Sequence, residues 1–155
     1  MPNWNSNTLT LTHKFPSMIQ RAAEALEADR FLQEFIPIPD PENSYDFCCT
    51  EWGTKWDVQD ACIVSKEENS LIACFDTAWS PPIEAYQKLE EMGFEITAYY
   101  YEGGCSFCGK YENGVDNYYN IEGDSTWVEE NIPKDIDEEM VISENMSYNE
   151  ELESA

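Results

Sequence analysis

The feature that most restricts the fold is a pair of segments, Ala61–Ser65 and Ser70–Thr77, that read as β-strands joined by the polar turn Lys66–Asn69. With the turn centred on Glu68, the two-residue strand repeat puts Cys62, Val64, Ile72 and Cys74 on one face. Ala61, Ile63, Leu71, Ala73 and Phe75 fall on the other. Both faces are apolar, so the hairpin is expected at the centre of a sheet, with something besides one helix layer covering its second side. Further strands follow the same logic. Leu9 and Leu11 alternate with threonines in Thr8–Thr12, and Phe94–Tyr101 reads as a strand ended by Gly103-Gly104. Phe107–Tyr111 and Val115–Ile121 form a second hairpin about Asn113-Gly114, a favoured two-residue turn.

Two helices accompany these strands. Phe15-Pro16-Ser17 opens the first: proline suits the first helical position, Ser17 with Gln20 has capping-box spacing, and Met18, Ala22 and Leu26 form an apolar stripe. The second runs from Ser80-Pro81-Pro82 to Gly93, with Ile83, Tyr86, Leu89 and Met92 as its buried stripe. Between them, Pro37 and Pro39 predict an extended edge or loop over Phe31–Asp40, and a short helix closed by Gly53 is expected around Tyr45–Gly53. The order β-α-(insert)-β-β-α-β-β predicts a ferredoxin-like α+β domain over residues 1–121, an antiparallel sheet with two helices on one face and a hairpin extension. Residues 122–155 are expected as an acidic tail, partly ordered or disordered.

Charge restricts the partners. Thirty-two acidic residues stand against eight basic ones, a net charge of -24 on 155 residues, which repels nucleic acid phosphates and anionic lipid headgroups and favours a basic partner. Hydrophobic residues at 42% and aromatics at 14% are too abundant for a disordered acidic chain, so most of it must fold. From Ile121 to Ala155 twelve acids face one base, Lys134, for a net of -11. Trp127, Ile132, Ile136 and Met140 interrupt these acids, so the tail has the means to dock or to fold on binding. Its carboxylates Glu129, Glu130, Asp135, Asp137, Glu138, Glu139 and Glu144 are the partner-binding candidates. No apolar run approaches the roughly 20 residues of a transmembrane helix, and Met1–Asn7 is too polar for a signal peptide. The expected location is the cytoplasm of a bacterial host, with the six cysteines as thiols.

Three strings are too rich in tryptophan to be generic: Met1-Pro2-Asn3-Trp4 followed by Ser6-Asn7, then Glu51-Trp52-Gly53-Thr54-Lys55-Trp56-Asp57, then Phe75-Asp76-Thr77-Ala78-Trp79-Ser80-Pro81-Pro82. Together, over Met1–Tyr119, they resemble the YubB-type phage and plasmid proteins. That resemblance implies a ferredoxin-like domain and a mobile-element origin, but no reaction. Asn5 stands where such chains often have a cysteine, and the acidic tail is additional. Physically, Trp52, Trp56 and Trp79 with Asp57 and Asp76 are expected to build an aromatic-polar corner at one end of the sheet, the carboxylates and threonines accepting from indole N–H groups. Such a corner either locks the fold or lines a cleft.

The chemistry-bearing motifs are weaker. Cys105-Ser-Phe-Cys108-Gly109 has zinc-knuckle spacing, but a second ligand pair is missing: Cys48 and Cys49 are adjacent, and His13 is the single histidine. Asp135-Ile-Asp137-Glu-Glu139 begins like a calcium loop, then lacks the central glycine and has Met146 at the twelfth position. No P-loop or dinucleotide fingerprint is present. Tyr99, Tyr101, Tyr111, Tyr118 and Tyr119 would suit a base-stacking platform, yet the charge opposes RNA. The reading that uses the charge is a non-enzymatic counter-defence inhibitor that mimics nucleic acid and occupies a basic surface of a host nucleic-acid-binding or nucleic-acid-processing protein. No cofactor is expected under that reading. The alternatives are an acidic accessory protein of unknown role and a small zinc protein using Cys105 and Cys108.

Overall fold

The structure, a computed structural model, describes residues 3–154. Met1, Pro2 and Ala155, and so the first two positions of the first tryptophan string, lie outside the described residues. Strand β1 (Trp4–Thr12) pairs antiparallel with β3 (Ser70–Ala78) on one side and with β4 (Glu95–Glu102) on the other. Strand β2 (Gln59–Lys66) adds to β3, while β5 (Phe107–Glu112) and β6 (Val115–Asn120) extend the sheet beyond β4, giving the order β2-β3-β1-β4-β5-β6. The β2-β3-β1-β4 part is ferredoxin-like, and β5–β6 is the expected hairpin extension. Its turn residues Asn113 and Gly114 both have positive φ, 53° and 77°, as a two-residue turn matched to strand twist requires.

Helices α1 (Pro16–Glu27), α2 (Phe31–Phe35) and α4 (Ile83–Glu91) cover the first face. Against them lie Leu9, Leu11, Leu71, Ala73, Phe75, Ile96 and Ala98, all buried because alternate strand residues share a face. The periodicities at 16–27 and 83–91 form as read, with Ile19, Ala22, Leu26, Tyr86 and Leu89 buried, whereas Met92 is exposed. The capping box does not form: Phe15 is the N-cap, no side chain bonds there, and Ser17 lies inside the first turn behind Pro16. Phe31–Phe35 is helical rather than extended. The Asp57 carboxylate, distant in sequence, accepts from the first-turn N–H groups of Leu32 and Gln33 at 2.9 Å each, and the prolines act only after the helix has ended. Helix α3 (Ser44–Phe47) runs on as a wider turn over Cys48–Trp52, closed as expected by Gly53, whose φ is +81° and whose N–H reaches the Cys48 carbonyl at 3.0 Å.

Two expectations change on the second face. The β2–β3 hairpin forms but sits at the sheet edge, because β1 inserts beside β3 and β4 occupies the other side of β1. Its second face is tolerably wet: Cys62 is exposed, Ile72 and Cys74 are half-buried, and Val64 is 62% exposed. Residues of the acidic segment build three helices, α5 (Ser125–Asn131), α6 (Lys134–Met140) and α7 (Ile142–Ser154). Val128, Ile132, Ile136 and Ile142 close a second core on Cys108, flanked by half-buried Tyr99, Tyr101 and Tyr119. The three tyrosines are thereby taken from any base-stacking platform. The cover thus lies over β1 and β4–β6 and leaves the β2–β3 end open. Ile136→Ala should cost about 2–4 kcal/mol in urea unfolding. Truncation after Ile121 should raise binding of a hydrophobic dye by uncovering Tyr99, Tyr101, Cys108 and Tyr119; unchanged stability and dye binding would show that this second core contributes nothing.

Candidate functional site

The tryptophan strings converge at one end of the sheet but do different work there. Trp52 is fully buried, its indole N–H donating to the Ile36 carbonyl at 2.9 Å, with Phe47 edge-on at 6.2 Å. Trp56 is half-buried against Trp4, the rings 6.1 Å apart and edge-to-face, and Lys55 Nζ stands 5.1 Å from the Trp56 ring. Asp57 serves no indole. It accepts backbone N–H bonds from Leu32, Gln33 and Val58, and burial pushes its carboxyl above the ordinary value while those donors and Arg30 pull it down. Among the described residues Asp76 accepts no indole hydrogen bond either: its register partners, Ser6 and Gln59, put it on the face away from buried Trp52, where burial and the nearby Asp60 raise its carboxyl.

Trp79 is the outlier. It is 45% exposed and its φ is +71°, a left-handed backbone that a bulky residue adopts only when its surroundings impose it. The constraints are visible. Trp79 N–H donates to the Asn3 carbonyl at 2.9 Å, Thr77 Oγ1 donates to the Ser80 carbonyl at 2.7 Å, and Ser80 Oγ donates to the Gly53 carbonyl at 2.6 Å. Beneath this turn, buried Asn5 and Asn7 both donate to Thr77 Oγ1, at 3.3 and 3.0 Å. On the surface, Trp79 separates two hollows of about 490 and 470 Å³; Tyr45 and Lys55 line the first, and Glu84 and Tyr118 line the second. Tyr118 stacks on Phe107 at 5.3 Å and is half exposed.

The seven acidic-segment carboxylates divide by role. Asp137 accepts from Ser143 N–H and Oγ, both at 2.7 Å, so it caps the start of α7. Asp135 is tied to Lys110 Nζ at 3.0 Å; burial raises its carboxyl, and Lys110 more than offsets this, leaving it below the ordinary value. Glu138 makes only an exposed pair with Lys134 at 3.6 Å, worth about 0–1 kcal/mol. Glu129, Glu130, Glu139 and Glu144 are exposed and have no ion-pair partner among the described residues. Glu129 from α5 and Glu144 from α7 line a groove of about 570 Å³ together with Glu151 and Tyr148, the latter 62% exposed. The sequence reading missed Tyr148 and Glu151 as surface-site residues. The signal was the spacing Glu144, Tyr148, Glu151, which puts all three on one side of a helix.

The family described as "Ferredoxin-like domain in Api92-like protein" matches residues 51–142. The chain belongs to that family. The match begins in the turn before β2 and runs through α6, so α5 and α6 fall within the matched residues. It supports the ferredoxin-like fold under the Api92-like description rather than the YubB-type one. Among solved structures the chain is similar to the crystal structure of a protein Api92 from Yersinia pseudotuberculosis, at 18% identity and a TM-score of 0.45, covering 61% of this chain and 40% of that one. No curated protein matches.

Within the Api92-like match, the two cysteines with knuckle spacing do not converge. Cys105 lies in an exposed turn beside Asn3 Nδ2 at 3.4 Å, whereas Cys108 is buried under the helices, where burial pushes its thiol up to about 12. Among the described residues no group of three or more His, Cys, Asp or Glu side chains is placed to share a metal ion. His13 is occupied as well: Phe15 N–H donates to Nδ1 at 3.0 Å and Nε2 lies 3.0 Å from the Met92 carbonyl, which fixes the neutral tautomer with Nε2–H donating. Nor does any helix among the described residues have the length and apolarity to cross a membrane.

The tryptophans should separate in mutagenesis. Trp52→Ala should cost about 3–5 kcal/mol by loss of a fully buried ring. Trp79→Gly should stay within about 1 kcal/mol of wild type, because relief of the left-handed backbone offsets the lost contacts. Equal losses in denaturant unfolding would show that both rings are structural.

Proposed function

We propose that this protein is a non-enzymatic acidic binding protein whose helical layer α5–α7 occupies a basic, nucleic-acid-binding surface of a partner protein. The observation that carries this reading is the set of unpaired carboxylates on that layer, Glu129, Glu139, Glu144 and Glu151 among them, held on helices that a second core fixes to the sheet. A fixed array suits a fixed cationic target, since the ordering entropy is met on folding rather than on binding. Offsetting charge is scarce: of eight basic residues, Arg21, Arg30, Lys88, Lys110 and Lys134 already sit in ion pairs. The magnitude fits a nucleic-acid footprint. B-DNA carries about one charge per 1.7 Å of axis, so the net charge of -11 over residues 121–155 corresponds to roughly 19 Å, or between about five and six base pairs. The YubB-type tryptophan strings support a phage or plasmid origin, and with it the role of a counter-defence inhibitor in a bacterial cytoplasm.

The test is capture from bacterial lysate with the full chain as bait, at about 50 mM and about 500 mM salt, followed by competition with a short DNA duplex. The expected result is a DNA- or RNA-binding protein that is lost at high salt and displaced by the duplex. The variant carrying Glu129→Gln, Glu139→Gln, Glu144→Gln and Glu151→Gln should weaken capture at least tenfold while unfolding at the wild-type midpoint. Partners that hold equally at both salts and ignore the duplex would overturn the mimicry.

A further inference from the structure

Cys62 and Cys74 are direct register partners across the β2–β3 ladder and share the sheet face that α5–α7 leave open. Both thiols are free, Cys62 exposed and Cys74 half-buried. Residues directly opposite in an antiparallel pair have Cα atoms about 4.5 or 5.5 Å apart, and both values fall inside the roughly 4.4–6.8 Å range of disulfides. The remaining requirement is that the Cβ atoms close to about 3.5–4.5 Å. Here the edge helps, because the register is irregular on both sides of Cys62, between Gln59 and Cys62 and between Ile63 and Ser65. A bulged edge strand, free on its outer side, can shift by the small distance that an inner strand could not.

The other four cysteines lack this arrangement. Cys48 is buried, its thiol pushed up to about 11 by burial, and it neighbours Cys49 in sequence. Cys108 is enclosed in the second core and Cys105 sits in the turn outside it.

We propose that Cys62 and Cys74 form a dithiol–disulfide site that reacts with low-molecular-weight disulfides such as glutathione disulfide. The exposed Cys62 thiolate attacks one sulfur of the oxidant, whose S–S bond breaks and expels one thiolate. Cys74, as thiolate, then attacks Cys62 Sγ, forming the Cys62–Cys74 bond and expelling the second. Two protein thiols are oxidised, one small disulfide is reduced to two thiols, and the two protein protons end on the released thiolates. The product ties the bulged edge strand to its neighbour and closes a short loop around the Lys66–Asn69 turn.

The experiment exposes the reduced full chain to glutathione disulfide, then maps disulfide-linked peptides under non-reducing conditions. The expected result is loss of two hydrogens from the intact mass, a peptide joining Cys62 to Cys74, and a rise of about 5 °C or more in the thermal midpoint, reversed by a reductant. Cys74→Ser should stop at one glutathionyl group on Cys62, with no linked peptide and no thermal gain. Glutathionyl groups on Cys49 or Cys105 with Cys62 and Cys74 left unlinked, linkage of another cysteine pair, or disulfide-bonded dimers would overturn the proposal.

Discussion

The double pairing of β1 is the constraint on which the rest of the structure depends. As the first strand it has to wait for β3 and β4, far along the chain, and then fixes both of them in register at once. Leu9 and Leu11 on its first face find Ala73, Leu71, Ala98 and Ile96, which defines the main core. Asn5 and Asn7, on the same face but nearer the strand start, deliver their amides to Thr77 and so set the turn that displays Trp79. On the second face, Thr8 Oγ1 lies 3.8 Å from Cys74 Sγ and donates to Met140 Sδ at 3.7 Å, where the open end of the sheet meets the helical cover. One strand therefore positions the core, the tryptophan turn and the boundary between the covered and uncovered halves of the sheet.

With so few cations, the carboxylates that organise the chain do so through backbone N–H groups. Asp57 holds the first turn of α2, and Asp124 accepts from Trp127 N–H at the start of α5. Buried Glu102 accepts from Gly104 and Cys105 N–H at 2.6 and 2.7 Å and shapes the turn before β5. Asp137 and Glu150 each take both the N–H and the hydroxyl of a serine, Ser143 and Ser125. Charge-assisted bonds of this kind are stronger than neutral ones and need no basic residue. Such bonding lets the chain keep a strongly negative surface and still satisfy its helix ends, and it separates structural acids from those left facing water.

Local pattern carried most of the sheet and the two main helices. Alternation in Thr8–Thr12, the Asn113-Gly114 turn and the stripes of α1 and α4 are short-range signals, and each formed where it was read apart from Met92, which is exposed just beyond α4. What was not legible depends on partners distant in sequence. The helicity of Phe31–Phe35 comes from Asp57, and the edge position of the hairpin comes from β1 taking the place beside β3. The candidate site divides in the same way. Exposure of Glu129, Glu139 and Glu144 follows from charge, whereas the capping role of Asp137 and the Lys110 tie of Asp135 appear only once α6 lies on the sheet. Trp79 looked equivalent to Trp52 as a letter; its left-handed backbone makes it a different residue in kind.

The irregular β2 also decides how the sheet ends. Its outer edge bears the left-handed Asp60 at φ 53°, two register shifts, and the charges of Asp60 and Lys66. A ribbon so kinked and charged offers no straight ladder of donors and acceptors for another chain to join. At the opposite margin, β6 places Asp116, Asn117 and Asn120 in solvent. The β2 rim is thus closed to growth by strand addition, whereas β6 keeps an unbroken register with β5, so the sheet can be lengthened from one margin alone.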